Sequence, residues 1–157
     1  MMDPQAAFRH PGVARFIVGR FFSALATTST SVAVGWQLYE VTGSKFALGL
    51  VGLVEVIPMV GLSLLAGAAS DRYPRRFVAL AAHVTLAVCT ILLLGLAHFN
   101  GPTWAYYTTL FFVGVAMAFR ASSVGSMLPQ MVPARDFGNA NAWLSSSYEF
   151  ASMAGPA

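Results

Sequence analysis

Phe77 to Phe119 reads FVALAAHVTLAVCTILLLGLAHFNGPTWAYYTTLFFVGVAMAF, 43 residues without one Asp, Glu, Lys or Arg. A hydrocarbon core about 30 Å thick is crossed by roughly 20 helical residues, so the run holds twice what a single span needs. His98-Phe99-Asn100-Gly101-Pro102-Thr103 interrupts it midway with turn-forming residues. Two membrane helices joined by a tight hairpin follow from that pattern.

The rest of the chain agrees. Of the 157 residues 57% are hydrophobic and 10% charged, whereas a soluble domain carries about 25% charged residues. Mean hydropathy is +0.66. Soluble enzymes, coiled coils and disordered regulators are excluded on these grounds. The net charge of +3 therefore reads as loop charge of a membrane protein and gives no argument for a nucleic-acid partner. Cys89, the single cysteine, can form no internal disulfide. His10, His83 and His98 are too scattered for a metal site, and no cofactor motif is visible.

Outward from the central run, Phe46 to Ser70 is interrupted only by Glu55, and Phe21 to Tyr39 carries no charge. The expected fold is an all-α polytopic membrane protein. A cytoplasmic tail over 1–15 precedes a bundle over 16–157, with spans at about 16–39, 46–70, 77–97 and 104–126. Met127 to Ala140, with two prolines and two charges, reads as a surface loop. Asn139 or Asn141 would then cap a fifth helix, incomplete over 141–157. The chain is thus expected to be a fragment ending inside its fifth span.

Lys and Arg set the orientation. Arg9, Arg15, Arg20, Arg72, Arg75, Arg76, Arg120 and Arg135 fall on the N-terminal side, and Lys45 alone falls opposite. The positive-inside rule places the N-terminus in the cytoplasm of a cell inner membrane. Trp104, Tyr106 and Tyr107 then stand at the outer start of the fourth span, as aromatic anchors. Glu40 and Lys45, flanking the first outer turn, read as a local surface pair.

Several residues do not read as lipid contacts. Arg20, Ser23, Thr27, Thr30 and Gln37 share one face of the first span, with larger apolar residues opposite. That face either lines a cavity or packs against another helix through hydrogen bonds, and Arg20 reaches towards the cytoplasmic headgroups. Glu55 lies about ten residues into the second span, near the midplane, with Pro58 one turn later. A carboxylate at a span centre costs about 2.5–3.5 kcal/mol on insertion scales, so protonation or pairing is expected. It reads as a proton-coupling or substrate-binding group, or as a neutral tie between helices. Glu149 in the fifth helix repeats the argument more weakly. His83 in the third span reads as a proton relay or, as a lone histidine more often is, a hydrogen-bonded packing residue. No catalytic constellation appears, so no enzyme activity is expected.

The loop between spans two and three reads Gly67-Ala68-Ala69-Ser70-Asp71-Arg72-Tyr73-Pro74-Arg75-Arg76. It resembles the signature loop G-x-x-x-D-[RK]-x-G-[RK]-[RK] of the major facilitator superfamily, at the same place between the same spans. Pro74 stands where that pattern has its second glycine, and suits the first turn of the next helix. Thr42-Gly43-Ser44, Ala47-Leu48-Gly49, Glu55 with Pro58, and Asn139-Ala140-Asn141 resemble the drug and siderophore exporter branch. Gly155-Pro156 is similar to the start of the antiporter signature of span five. The resemblance implies the N-terminal part of a twelve-span transporter with two six-helix halves and alternating access. It further implies that Gly67, Asp71, Arg72, Arg75 and Arg76 form a gating loop and that Gly155 and Pro156 shape the fifth helix. The partners expected are the lipid bilayer, an amphipathic small-molecule substrate and the missing second half. The energy source expected is a proton gradient, with no cofactor. The alternative is a membrane fragment that does not transport, inert or serving as an assembly partner.

Overall fold

The computed structural model describes residues 12–125, 127 and 131–155. Its elements are α1 (Val13–Thr42), α2 (Lys45–Gly61), α3 (Ser63–Arg72), α4 (Arg75–His98), α5 (Thr103–Gly125) and α6 (Ala134–Ala154). They fall into two compact units. One joins the described residues of 1–32 with those of 126–157, and the other runs from Ala33 to Gly125.

The larger unit is built around α5, which packs against α4, α2 and α3. Val34, Leu38, Val51, Cys89, Leu93, Tyr106, Leu110 and Val113 make its core. Buried positions fill 44% of the apolar stretch of α5 but 17% of that of α4. Outward-facing α4 is nevertheless apolar: Val84, Ile91 and Leu94 are 54%, 68% and 70% exposed. A helix apolar on its exposed side finds its complement in lipid. Among the described residues three helices, α1, α4 and α5, are long and apolar enough to cross a membrane, and α2 with α3 makes a fourth span if taken together.

The expected second span over 46–70 is broken. α2 and α3 meet at a 47° bend centred on Leu62. The break falls in Gly61-Leu62-Ser63, where glycine weakens helix and Ser63 Oγ donates to Val60 O at 2.7 Å, competing with the backbone ladder. The ladder still spans the bend through Leu62 N–H to Pro58 O and Ala66 N–H to Leu62 O, at 2.9 and 2.8 Å.

The hairpin between α4 and α5 closes with Asn100 at φ 49°, a left-handed conformation that asparagine tolerates, and Gly101 N–H bonded to Leu96 O. Gly101 lies so close to Leu96 that a side chain there would overlap it. Of the three expected aromatic anchors, Trp104 is exposed. Tyr106 is a correction: it is 1% exposed, in the core. One turn into α5, it falls on the side of the helix that joins the core shared with Leu38 of α1, Val51 of α2 and Leu110. Tyr107 is half-buried and donates to Ala47 O at 3.3 Å. Glu40 is a second correction. It makes no pair with Lys45 among the described residues; its Oε1 accepts from Trp36 Nε1 at 3.0 Å, one helical turn away. The i,i+4 spacing on α1 favours that partner over one beyond the turn.

In the smaller unit, Val13, Ile17, Val132 and Ala140 form a core supported by Phe16, Met131 and Leu144. The loop expected up to Ala140 is a further correction, since α6 begins at Ala134. Pro133 (φ −60°, ψ 154°) precedes it, Asp136 N–H bonds Pro133 O at 2.9 Å, and the Asp136 carboxylate sits in the first turn. A proline at the start and an acid in the first turn both favour a helix N-terminus. Ala140 is fully buried in this core, which draws the residues read as loop into the helix. α6 has the length of a span but falls short of the apolar character of the others.

Candidate functional site

The residues singled out above lie in three places. The first is the crossing of α2 and α5. Glu55 stands in the middle of α2, half-buried and with a polar or electrostatic partner, and Pro58 is buried one turn on. Facing them is Gly114 of α5. A Cβ at Gly114 would overlap the carbonyl of Glu55 and come within 2.7 Å of Pro58 Cγ. The helices therefore touch backbone to backbone at the level of the carboxylate. Only glycine permits that approach, as small residues do at membrane helix contacts. Gly114 carries no signal of its own in an apolar run, and the sequence reading missed it.

The second place is the basic loop. Gly67 lies on α3 with open space around the position of a Cβ. Asp71 and Arg72 close α3; Arg75 and Arg76 open α4. Pro74 is the residue before the first turn of α4 rather than a member of it. Arg75 Nη2 and Asp71 Oδ1 are 3.6 Å apart, with Asp71 78% exposed. Arg76 turns its guanidinium over the Phe77 ring, 4.9 Å from the centroid.

Directly beneath this loop lies a buried chain of hydroxyls. Ser70 Oγ is 3.1 Å from Ser123 Oγ, Ser122 Oγ donates to Ser70 Oγ at 3.0 Å, and Ser123 Oγ donates to Phe119 O at 2.8 Å. Each hydroxyl has one hydrogen, so one direction satisfies all three: Ser122 to Ser70 to Ser123 to the carbonyl. Ser122 Oγ also approaches Ala66 O at 3.1 Å. Ser70 and Ser123 are buried at 3% and 0% exposure. The chain ties the loop end of α3 to the same end of α5. Its sequence signal is adjacent serines near the close of an apolar helix, opposite Ala66 and Ser70 at i, i+4 spacing.

The third place is in the smaller unit, where α1 meets the end of α6. Thr27 donates to Ser23 O at 2.7 Å, inside its own helix. Its neighbours Thr28 and Ser29 make the contact: a Cβ at Gly155 would overlap Thr28 Oγ1, and Ser29 Oγ donates to Gly155 O at 2.9 Å. Arg20 is half-buried, with Nε lacking a hydrogen-bond partner among the described residues. Glu149 is exposed and its carbonyl accepts from Ser152 Oγ at 2.8 Å. Pro156 lies outside the described residues. Gln37 is half-buried and belongs to the larger unit, so the polar face read along α1 is divided between the two. His83 is exposed, with Nδ1 2.8 Å from Ala79 O of its own helix.

The chain as a whole is similar to known proteins. It is 23% identical over 116 residues to macrolide efflux protein A of Streptococcus pyogenes, an alignment covering 73% of this chain and 29% of that protein. The macrolide efflux protein A of Streptococcus pyogenes serotype M6 matches to the same extent. The chain thus spans about 29% of the length of these curated relatives. No solved structure matches it. The family described as Major Facilitator Superfamily matches residues 16–157, spans and basic loop included. The chain is a multi-pass membrane protein and belongs to the major facilitator superfamily.

Proposed function

We propose that the chain is the N-terminal part of a proton-coupled exporter of amphipathic small molecules, drugs or siderophores. Glu55 carries this reading. It is the acid of the bent α2–α3 span that lies away from the ends, and its backbone is pressed against Gly114. A change in the charge of its side chain falls on the residue whose backbone meets α5. The similarity to a macrolide efflux protein supports the substrate class.

In this reading the N-terminus lies in the cytoplasm and the protein sits in the inner membrane. The loop Gly67–Arg76 faces the cytoplasm and meets the second half of the transporter in one access state. Glu55 takes a proton from the outer side and releases it inside. Across about 150 mV one inward charge supplies roughly 3.5 kcal/mol, enough for a gradient of about three hundredfold. Arg20, Thr27, Gln37 and Glu149 serve the substrate path.

The test is Glu55→Gln in the full-length transporter, assayed for efflux from proteoliposomes under an imposed pH gradient. The expected result is loss of gradient-driven efflux while substrate exchange without a gradient persists. Unchanged gradient-driven efflux would remove the coupling role.

A further inference from the structure

An apolar groove of about 650 Å³ runs alongside the basic loop, within the larger unit. Tyr73, Phe77, Ala81 and Thr85 line it from the loop and α4, and Val115 and Phe119 from α5. Its size lies inside the roughly 300–1,000 Å³ range of small-molecule sites. From Arg76 to Thr85 the helix rises about 13 Å, close to the roughly 15 Å depth of one leaflet's hydrocarbon. The groove therefore begins at the charged end of the span and is one acyl chain deep.

The charges of the adjoining loop, next in sequence to the lining residues Tyr73 and Phe77, are unbalanced. Asp71 is engaged with Arg75, whereas Arg72 and Arg76 are exposed and in no ion pair among the described residues. Arg76 is held at the groove itself, because the ring beneath its guanidinium is Phe77, a lining residue. We propose that the groove holds an acyl chain of an anionic phospholipid from the loop-side leaflet, with the lipid phosphate on Arg72 and Arg76. The chain supplies the apolar fit and the phosphate neutralises the uncompensated arginines. A basic pocket between membrane helices at the headgroup level selects for this chemistry. The site needs only the membrane-spanning fold, and does not depend on proton coupling or export.

The full-length protein, purified in mild detergent, would be mixed with equal amounts of dioleoylphosphatidylglycerol and dioleoylphosphatidylcholine, and retained lipids counted by native mass spectrometry. The expected result is preferential retention of one phosphatidylglycerol. Arg72→Gln with Arg76→Gln should lower that retention about 25-fold, from two lost cationic contacts. Ala81→Trp, at an exposed lining position, should abolish it by filling the groove, with the melting temperature of the lipid-free protein unchanged. Equal retention of the two lipids would overturn the proposal in favour of a general lipid contact. Retention that survives either variant would overturn it by placing the lipid elsewhere. Absence of any retained lipid would overturn it too, leaving the groove to another segment of the longer protein.

Discussion

α5 meets the two halves of the bent span in opposite ways. Against α2 the contact is steric, with Gly114 letting the backbone carbonyl of Glu55 approach where no side chain fits. Against α3 it is polar, with Ser122 and Ser123 joined to Ser70 by hydroxyl hydrogen bonds. Membrane helices gain little from hydrophobic association, since lipid tails are as apolar as leucine, and must be held by close packing or by hydrogen bonds. One helix uses each device at a different depth. The glycine contact tolerates no added volume, while the serine chain tolerates replacement of one member at modest cost.

Gly114→Ala should break this contrast most forcefully. The added methyl overlaps a backbone carbonyl rather than a movable side-chain tip, so the helices must part. The expected destabilisation is about 3 kcal/mol, the upper part of the usual range for overpacking. Thermal unfolding of the purified protein followed by size-exclusion chromatography would show it. An unchanged melting temperature would mean that α2 and α5 do not touch at this point.

Ser70→Ala and Ser123→Ala should each cost less, about 0.6 to 1.7 kcal/mol, the span measured for hydrogen bonds between membrane helices. A double-mutant cycle sharpens the comparison. A coupling energy near 0.6 kcal/mol or more is expected because the hydroxyls are 3.1 Å apart, and strict additivity would mean that they do not bond. The smallest effect on stability belongs to Asp71→Asn, within about 0.5 kcal/mol, because its pair with Arg75 is exposed and 3.6 Å long. If the loop gates access as proposed, the same variant should slow efflux severalfold at unchanged stability. Equal efflux by the two proteins would leave Asp71 without a gating role.

What could be read from the residues alone was what depends on single-chain patterns. Charge-free runs mark α1, α4 and α5, and the order of charges in Asp71-Arg72-Tyr73-Pro74-Arg75-Arg76 marks the loop and the family. What could not be read depends on which helix lies against which. Gly61-Leu62-Ser63 looks like any stretch of span until the backbone bends there, and Gly114 looks like any small residue until α2 is laid against it. Tyr106 illustrates the same limit. Its position one turn from a hairpin suits an interfacial anchor, but one helical step decides whether the ring meets headgroups or Leu38 and Leu110. Thr28 and Ser29, rather than Thr27, reach α6 for a similar reason.

The bend at Leu62 turns α3 into a lever. Ten residues of helix extend about 15 Å past it, so an angle of 47° carries the loop roughly 11 Å sideways from the axis of α2. A change of about 10° at that joint sweeps Ser70 and Asp71 through roughly 2.5 Å, near the length of a hydrogen bond. The serines that clasp α3 to α5 thereby fix the lateral address of the arginines. A small change of angle at Leu62 is magnified at the loop that carries the charges.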